Sequence, residues 1–518
     1  MTFFDSLLVL LFAAVVLLQV ARRLGLPYPA MLAAAGVAMA FIPGVPNIPL
    51  APETALALFI APVIVDAAYD FPLGAARRLV TPLLVFAVLA VLVTAAAVAA
   101  IAHLWLGIPV AAALALGAIV APPDAGAATA VLNNTTIPPS TETVLKGESL
   151  FNDATALLLY STALALLSPA GGPSRITVGA GLHLALAVPG AVALGWGFAL
   201  LQRRINPFVQ DTLGGNLLQF CEAYLVWILA EHLQLSPVLC LVTFAMTLAR
   251  TPELIHRNTR MRVQSFAVWS AVVFALNVFA FLLMGMQVRS IIGRMDRARL
   301  YQSMQFAALI VAAVIVLRFV IVITFNRLNA WRRRRLGKEP RASLRQAILV
   351  GWCGMRGFVT MATALALPAD LPRRDTILLA AFGVVIVTLV VQGMTLNPLI
   401  RLLDLDHTDS ALEEMKTVRR QLCTVGLATL QQHDDPEAES LRTFYQLQRT
   451  GEIPTVGQPT LERYRRYGLI AIRAERKALE KFREDAELSP DLYLKLQEEL
   501  DWRELTLLPE HERVIEEN

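Results

Sequence analysis

The sequence predicts an all-α polytopic membrane protein, with about 13 transmembrane helices and a small helical cytoplasmic tail. Three observations carry this. The 518-residue chain is 56% hydrophobic and 17% charged, with a mean hydropathy of +0.57. An ordinary soluble domain carries about 25% charged residues, so too few charges are present to cover a water-facing surface. Its first ~400 residues are a series of apolar runs of about 17–27 residues, the length that crosses a bilayer. From Asp404 onward the composition changes to Glu, Arg, Lys and Gln. The chain therefore divides into a transmembrane domain, 1–403, and a cytoplasmic helical domain, 404–518. A soluble enzyme, a disordered scaffold and a disulfide-rich secreted domain are excluded.

The runs lie at 4–21, 27–44, 51–69, 79–104, 108–132, 143–168, 176–202, 216–234, 236–250, 266–287, 302–326, 343–367 and 375–402. The ninth is short, so the count is 12 or 13. Asp5 precedes the first run, and Arg22 and Arg23 follow it. That pattern is not a cleaved signal peptide and places the N-terminus outside. The loops then divide with about nineteen Lys/Arg inside and about seven outside. The largest inside cluster surrounds Arg332 to Arg335. An odd number of spans leaves the tail in the cytoplasm. Cys221, Cys240, Cys353 and Cys423 are too scattered for a disulfide frame or metal site. Three of them lie in apolar runs and read as small core residues.

An ionisable group in hydrocarbon is expensive, so each one is a functional candidate. Asp124 lies in Ala121-Pro122-Pro123-Asp124-Ala125-Gly126. The two prolines remove backbone donors and break the fifth helix at mid-membrane. Freed carbonyls beside a carboxylate make a natural cation site. The sixth span carries Gly147-Glu148-Ser149-Leu150-Phe151-Asn152-Asp153. Helical spacing puts Ser149, Asn152 and Asp153 on one face, with Glu148 one turn from Asn152. Hydroxyl, amide and carboxylate are hard oxygen donors, suited to an alkali cation or a proton. Asp66 either faces the cavity or sits at the interface with Asp70. Arg356, in Gly354-Met355-Arg356-Gly357 of the twelfth span, keeps its charge and must find a carboxylate, Glu148 or Asp153. The broken spans are the fifth and the twelfth. With the seventh as connector, two six-helix halves of opposite orientation place their breaks at equivalent positions, as an inverted-repeat transporter requires.

At these residues the chain resembles the monovalent cation:proton antiporter family of the bacterial Na+/H+ exchanger type, over roughly 1–400. Gly147-Glu148-Ser149 to Asn152-Asp153, Gly354-Met355-Arg356-Gly357 and Val391-Gln392-Gly393-Met394-Thr395 carry the resemblance. It implies that Asp153 holds cation or proton in turn. Asp124, Ser149, Asn152 and the Pro123 carbonyl complete the ion site, with Asp124 and Asp153 the Na+ carboxylates. It also implies a structural ion pair between Glu148 and Arg356, Asp66 on the ion path, electroneutral one-for-one exchange from the Asn-Asp pair, and a homodimer. One departure stands out. The family's Thr-Asp-Pro reads Pro123-Asp124-Ala125 here, which leaves Na+, Li+ and K+ open.

These readings make the chain a secondary transporter, not an enzyme. It needs no cofactor beyond its transported Na+ and H+. Its partners are monovalent cations, protons, the lipid bilayer and a second copy, with no nucleic acid. Ala- and Arg-rich usage points to a bacterium, whose inner membrane is the expected location, and the resemblance implies a part in pH homeostasis. The rivals are K+/H+ exchange and an inactive transport fold acting as receptor or scaffold. An intramembrane aspartyl protease pairs Tyr-Asp with a Gly-x-Gly-Asp motif, and neither occurs around Asp124 or Asp153. The tail reads as three or four short helices, with breaks near Asp435-Pro436, Pro454 to Pro459 and Ser489-Pro490. His407 and His433 are its candidate pH sensors.

Overall fold

The structure, a computed structural model, describes residues 3–24, 26–42, 52–69, 71, 73–124, 126–128, 137–167, 178–209, 213–250, 259–293, 295–337, 343–405, 408–431, 436–450, 461–484 and 490–508. All regular structure among them is helical. The chain forms two compact units, Met1–Asp406 and His407–Glu517.

The helices of unit 1 follow the apolar runs. They are α1 (Phe3–Leu24), α2 (Tyr28–Ala40), α3 (Pro52–Tyr69), α4 (Val80–Leu106), α5 (Val110–Val120), α6 (Pro139–Leu167), α7 (Val178–Val209), α8 (Leu213–His232), α9 (Pro237–Ala249), α10 (Thr259–Met286) and α11 (Arg297–Arg335). The twelfth run is divided into α12 (Leu344–Trp352) and α13 (Phe358–Leu365), and α14 is Arg374–Leu402. Several helices outrun the predicted limits, because backbone pairing continues past the point where the side chains turn polar. Thus α6 starts at Pro139, α7 ends at Val209 and α10 starts at Thr259. Six helices among the described residues are long and apolar enough to cross a membrane. Others are shorter: α9, with 13 residues, reaches only ~20 Å of a ~30 Å hydrocarbon core.

Start signals are local. Asp296 accepts the Arg299 N–H at 2.8 Å and opens α11. Ser343 and Gln346 form a reciprocal capping box at α12, which ties down two otherwise orphaned donors.

Unit 1 is built of two bundles. One holds α4, α5, α6 and α11 to α14; the other holds α1 to α3 and α7 to α10. Large apolar side chains remain exposed on the helix flanks, such as Phe12, Leu104, Trp196, Leu217 and Val316. In water such a surface would aggregate; against lipid it is the expected one. Inside, small residues let helices approach. A Cβ at Gly117 of α5 would overlap the Ala95 carbonyl of α4, so only glycine permits that crossing. Among the described residues, two π-helical turns interrupt the helices, at Val85–Leu89 in α4 and Thr388–Gln392 in α14.

Cys240 and Cys353 are buried as expected, but Cys221 is exposed on α8. It occupies the outward side of a helix whose apolar residues also face outward, so its apolar surroundings in sequence do not make it core. Cys423, in the polar tail, is buried.

Unit 2 contains α15 (Thr408–Leu430), α16 (Pro436–Thr450), α17 (Leu461–Glu484) and α18 (Pro490–Leu507). Two are longer than the short helices expected. Pro436 and Pro490 each open a helix, where a missing N–H costs nothing. Helices α17 and α18 pair around Leu479 and Leu500. Arg476 reaches Asp501 and Glu504, both at 2.5 Å, and Arg503 grips Glu475 at 2.7 and 3.1 Å. His407, His433 and the stretch Pro454 to Pro459 lie outside the described residues.

Candidate functional site

The α5 helix stops at Val120, and the chain through Ala121 to Asp124 is not helical. The α12–α13 run stops at Trp352 and resumes at Phe358. These two breaks meet. The Asp124 N–H donates to the Met355 carbonyl at 2.7 Å. In return, Arg356 Nε donates to the Val120 carbonyl at 3.1 Å and Nη2 to the Ala121 carbonyl at 3.4 Å. Arg356 Nη1 also serves the Gly354 carbonyl.

Each side chain matches the helix end it faces. A broken helix leaves unpaired carbonyls and partial negative charge at one end, and unpaired N–H groups with partial positive charge at the other. Arg356, 1% exposed, covers the carbonyl end of α5. Asp124 Oδ1 accepts the N–H groups of Gly126 and Ala127 at 2.8 and 3.3 Å, where the chain turns helical again. Its other oxygen lies against the start of α13: a Cβ on Gly357 would overlap Oδ2. The Asp124 carboxylate is therefore placed between the N–H groups of Gly126 and Ala127 and the start of α13, and glycine is required at 357 for that approach.

Helix α6 brings the second group of oxygens. Glu148 and Asn152 are buried, while Ser149 and Asp153, on the neighbouring face, are partly exposed. Asn152 Nδ2 donates to the Pro123 carbonyl at 2.7 Å, which holds α6 to the α5 break. An amide flip would set two acceptors against each other, so Oδ1 is the outward atom. It is buried and has no hydrogen-bond partner. Asp153 lies close enough to Asp124 for their charges to repel. Two carboxylates that repel, beside an unpaired amide oxygen, are relieved by a proton or a cation.

One expected contact is corrected. Glu148 pairs with Arg318 of α11, not with Arg356. Arg318 Nη2 donates to Glu148 Oε2 at 2.7 Å, and Nη1 binds Oε1. This two-pronged pair is the strong geometry for an arginine. Arg318 also reaches the Val350 carbonyl at 3.3 Å, near the end of α12, and Phe86 stacks over its guanidinium at 5.5 Å. Arg356 is satisfied by backbone carbonyls instead, because the break in α5 leaves carbonyls without intrahelical partners and a partial negative charge for a guanidinium to cover. Sequence reasoning missed Arg318. The signal was present: a lone arginine in Val314-Ile315-Val316-Leu317-Arg318-Phe319-Val320 is an intramembrane charge by the same criterion that singled out Arg356.

The Pro123 carbonyl, expected as an ion ligand, accepts from Asn152; a carbonyl has a second lone pair. Asp66 is partly exposed near the end of α3, a helix that runs beside α13. Asp70 lies outside the described residues.

Residues 8–402 match the family described as sodium/hydrogen exchanger, transmembrane. The chain belongs to that family. Its relatives within the family are transporters, not enzymes. It is 28% identical over 443 residues to the low-affinity Na+/H+ antiporter NhaS1 of Synechocystis, covering 84% of this chain and 78% of that protein. It is 26% identical to the Na+/H+ antiporter ApNhaP of Aphanothece halophytica, covering 73% and 70%. A Bacillus pumilus relative, 26% identical over 79% of this chain and 62% of its own length, is named a sodium, potassium, lithium and rubidium/H+ antiporter. Among solved structures, the exchanger fold matches the sodium proton antiporter MjNhaP1 of Methanocaldococcus jannaschii. The TM-score is 0.56 at 18% identity, over 78% of this chain and all of that one.

Proposed function

We propose that this chain exchanges Na+ or Li+ for H+ across the membrane, one for one and without net charge movement, with cation and proton competing for Asp153. One observation carries the reading. At the crossing of two broken helices, Asp124 and Asp153 come within electrostatic reach of each other, where two negative charges would repel, beside a buried Asn152 Oδ1 with no partner. A cation coordinated by Asp124, Asp153, Asn152 and Ser149, with the Pro123 carbonyl at the edge, relieves that repulsion. So does a proton on Asp153. The Glu148–Arg318 pair and Arg356 hold the site's frame and stay charged throughout, so one added positive charge is the difference between the bundle's empty and loaded forms. An apolar barrier passes the loaded form more readily than the empty one. Alternating access then follows from rocking of the α4–α6, α11–α14 bundle against the other. Asp66 serves the route to the site.

The same reading includes thirteen spans in two inverted halves. Support comes from packing. Helix α2 lies on α10 as α9 lies on α3, and α4 lies on α5 as α11 lies on α12, the pairings that a two-fold relation between spans 1–6 and 8–13 generates. A homodimer in a bacterial inner membrane, N-terminus outside and C-terminus cytoplasmic, completes it.

K+/H+ exchange is the second reading. Pro123 in place of the family's Thr, and the Bacillus pumilus relative's broad cation range, favour it. The experiment is cation-induced dissipation of a pH gradient in proteoliposomes, with Na+, Li+ and K+ in turn, beside Asp153→Asn. A Na+ or Li+ response that disappears in the variant is expected. A response to K+ alone selects the second reading. Normal exchange by Asp153→Asn ends the competition mechanism.

A further inference from the structure

The peptide joining Met355 to Arg356 is held at both ends. Its carbonyl accepts the Asp124 N–H at 2.7 Å. Its N–H donates to Thr388 Oγ1 at 3.0 Å. The Thr388 hydroxyl donates onward to the Val384 carbonyl at 2.8 Å. A continuous series of hydrogen bonds thus runs from α14, through one peptide plane, to the backbone of Asp124. Bonds in series polarise one another where the dielectric is low, and Thr388 is 0% exposed. The 355–356 peptide belongs to no helix, so no ladder fixes its plane. The two bonds do so.

The register that delivers Thr388 is itself unusual. It opens the π-helical turn Thr388–Gln392, and such turns concentrate at functional sites. The other, in α4, presents Phe86 to Arg318. Each of these π turns therefore faces a segment carrying a buried arginine. A valine would fill the same volume as Thr388 but would leave the Arg356 N–H buried and unpaired, and the peptide free to tilt.

We propose that Thr388 is a positioning residue for the cation site: by orienting the Met355–Arg356 peptide, it sets where Asp124 holds its carboxylate and so sets the affinity for the transported cation. This rests on the exchange reading above.

Thr388→Val, Thr388→Ala and Thr388→Ser are compared with wild type in proteoliposomes, titrating whichever of Na+, Li+ and K+ drives flux. Cation-dependent thermal stabilisation of each purified protein is followed in parallel. The hydroxyl-free variants are expected to raise the half-saturating cation concentration about three- to tenfold, the equivalent of one buried hydrogen bond. Their maximal rates stay within about twofold of wild type, and Thr388→Ser returns to the wild-type half-saturation. The stabilisation curves shift by the same factor. Half-saturation unchanged in Val and Ala overturns the proposal. So does a serine variant as impaired as they are, or a fall in maximal rate alone. If wild type itself passes no cation, the exchange reading fails, and the stabilisation curves decide for Thr388: superimposable curves overturn its role.

Discussion

The two helix breaks use opposite chemistry for the same task. In α5 the break is written by Pro122 and Pro123, and the charge beside it is a carboxylate. Between α12 and α13 it is written by glycines, and the charge is a guanidinium. Neither is complete alone. Asp124 finds its N–H partner on Met355, and the carbonyls stranded at the end of α5 find theirs on Arg356. The acidic break keeps its carboxylate against backbone N–H groups and the start of α13, with oxygen capacity left for a ligand. The basic break spends its donors on backbone. On the exchange reading proposed above, the first serves the transported ion and the second the architecture.

The strongest way to break this comparison is to remove the architectural charges. Arg356→Ala strands buried carbonyls, and Glu148→Leu leaves Arg318 as an uncompensated buried cation. Each is expected to cost about 3–5 kcal/mol, read as a large loss of thermal stability in detergent. A double-variant test separates the two arginines. Glu148→Leu with Arg318→Met should recover much of the loss, because an apolar pair replaces an ion pair. Glu148→Leu with Arg356→Met should recover none. Rescue by the second pair would restore the Glu148–Arg356 pairing that the sequence suggested.

A smaller effect isolates the acidic break. Gly357→Ala forces the Asp124 carboxylate away from α13. Overpacking of this kind costs about 1–3 kcal/mol of stability, with folded protein still recovered, and the displaced carboxylate should raise the half-saturating cation concentration about tenfold. Cation titrations that match wild type would detach Asp124 from the site. The smallest effect tests who holds the break open. Pro122→Ala should cost only about 0.4–1 kcal/mol, since Asp124, Met355 and Arg356 keep the geometry without the ring. A loss comparable to Arg356→Ala would give the break to the prolines instead.

Much of this was legible in the chain. Apolar runs gave the helices, because a backbone in lipid has to satisfy its own hydrogen bonds. Pro122-Pro123 and the glycines around Arg356 marked both interruptions. The helical period put Ser149, Asn152 and Asp153 on one face; in the structure Asn152 is buried, while Ser149 and Asp153 beside it are partly exposed. Arg318 stood in view as a charge within an apolar run, but its pairing did not: Glu148 is 170 residues away in sequence, and an isolated arginine does not announce which carboxylate it meets. Cys221 misled because an apolar neighbourhood in a membrane helix faces lipid as readily as core.

The sequence by itself determined where the chain spans, where it breaks and which charges enter the membrane, since hydropathy, proline and glycine act locally. Only the tertiary structure decided who neutralises whom. The Glu148–Arg318 pair, the grip of Arg356 on α5 and the Thr388 bond to the 355–356 peptide all join helices distant in sequence. Electrostatics inside a membrane is settled by which donor stands within hydrogen-bonding distance of each buried acceptor, and no residue spacing carries that distance.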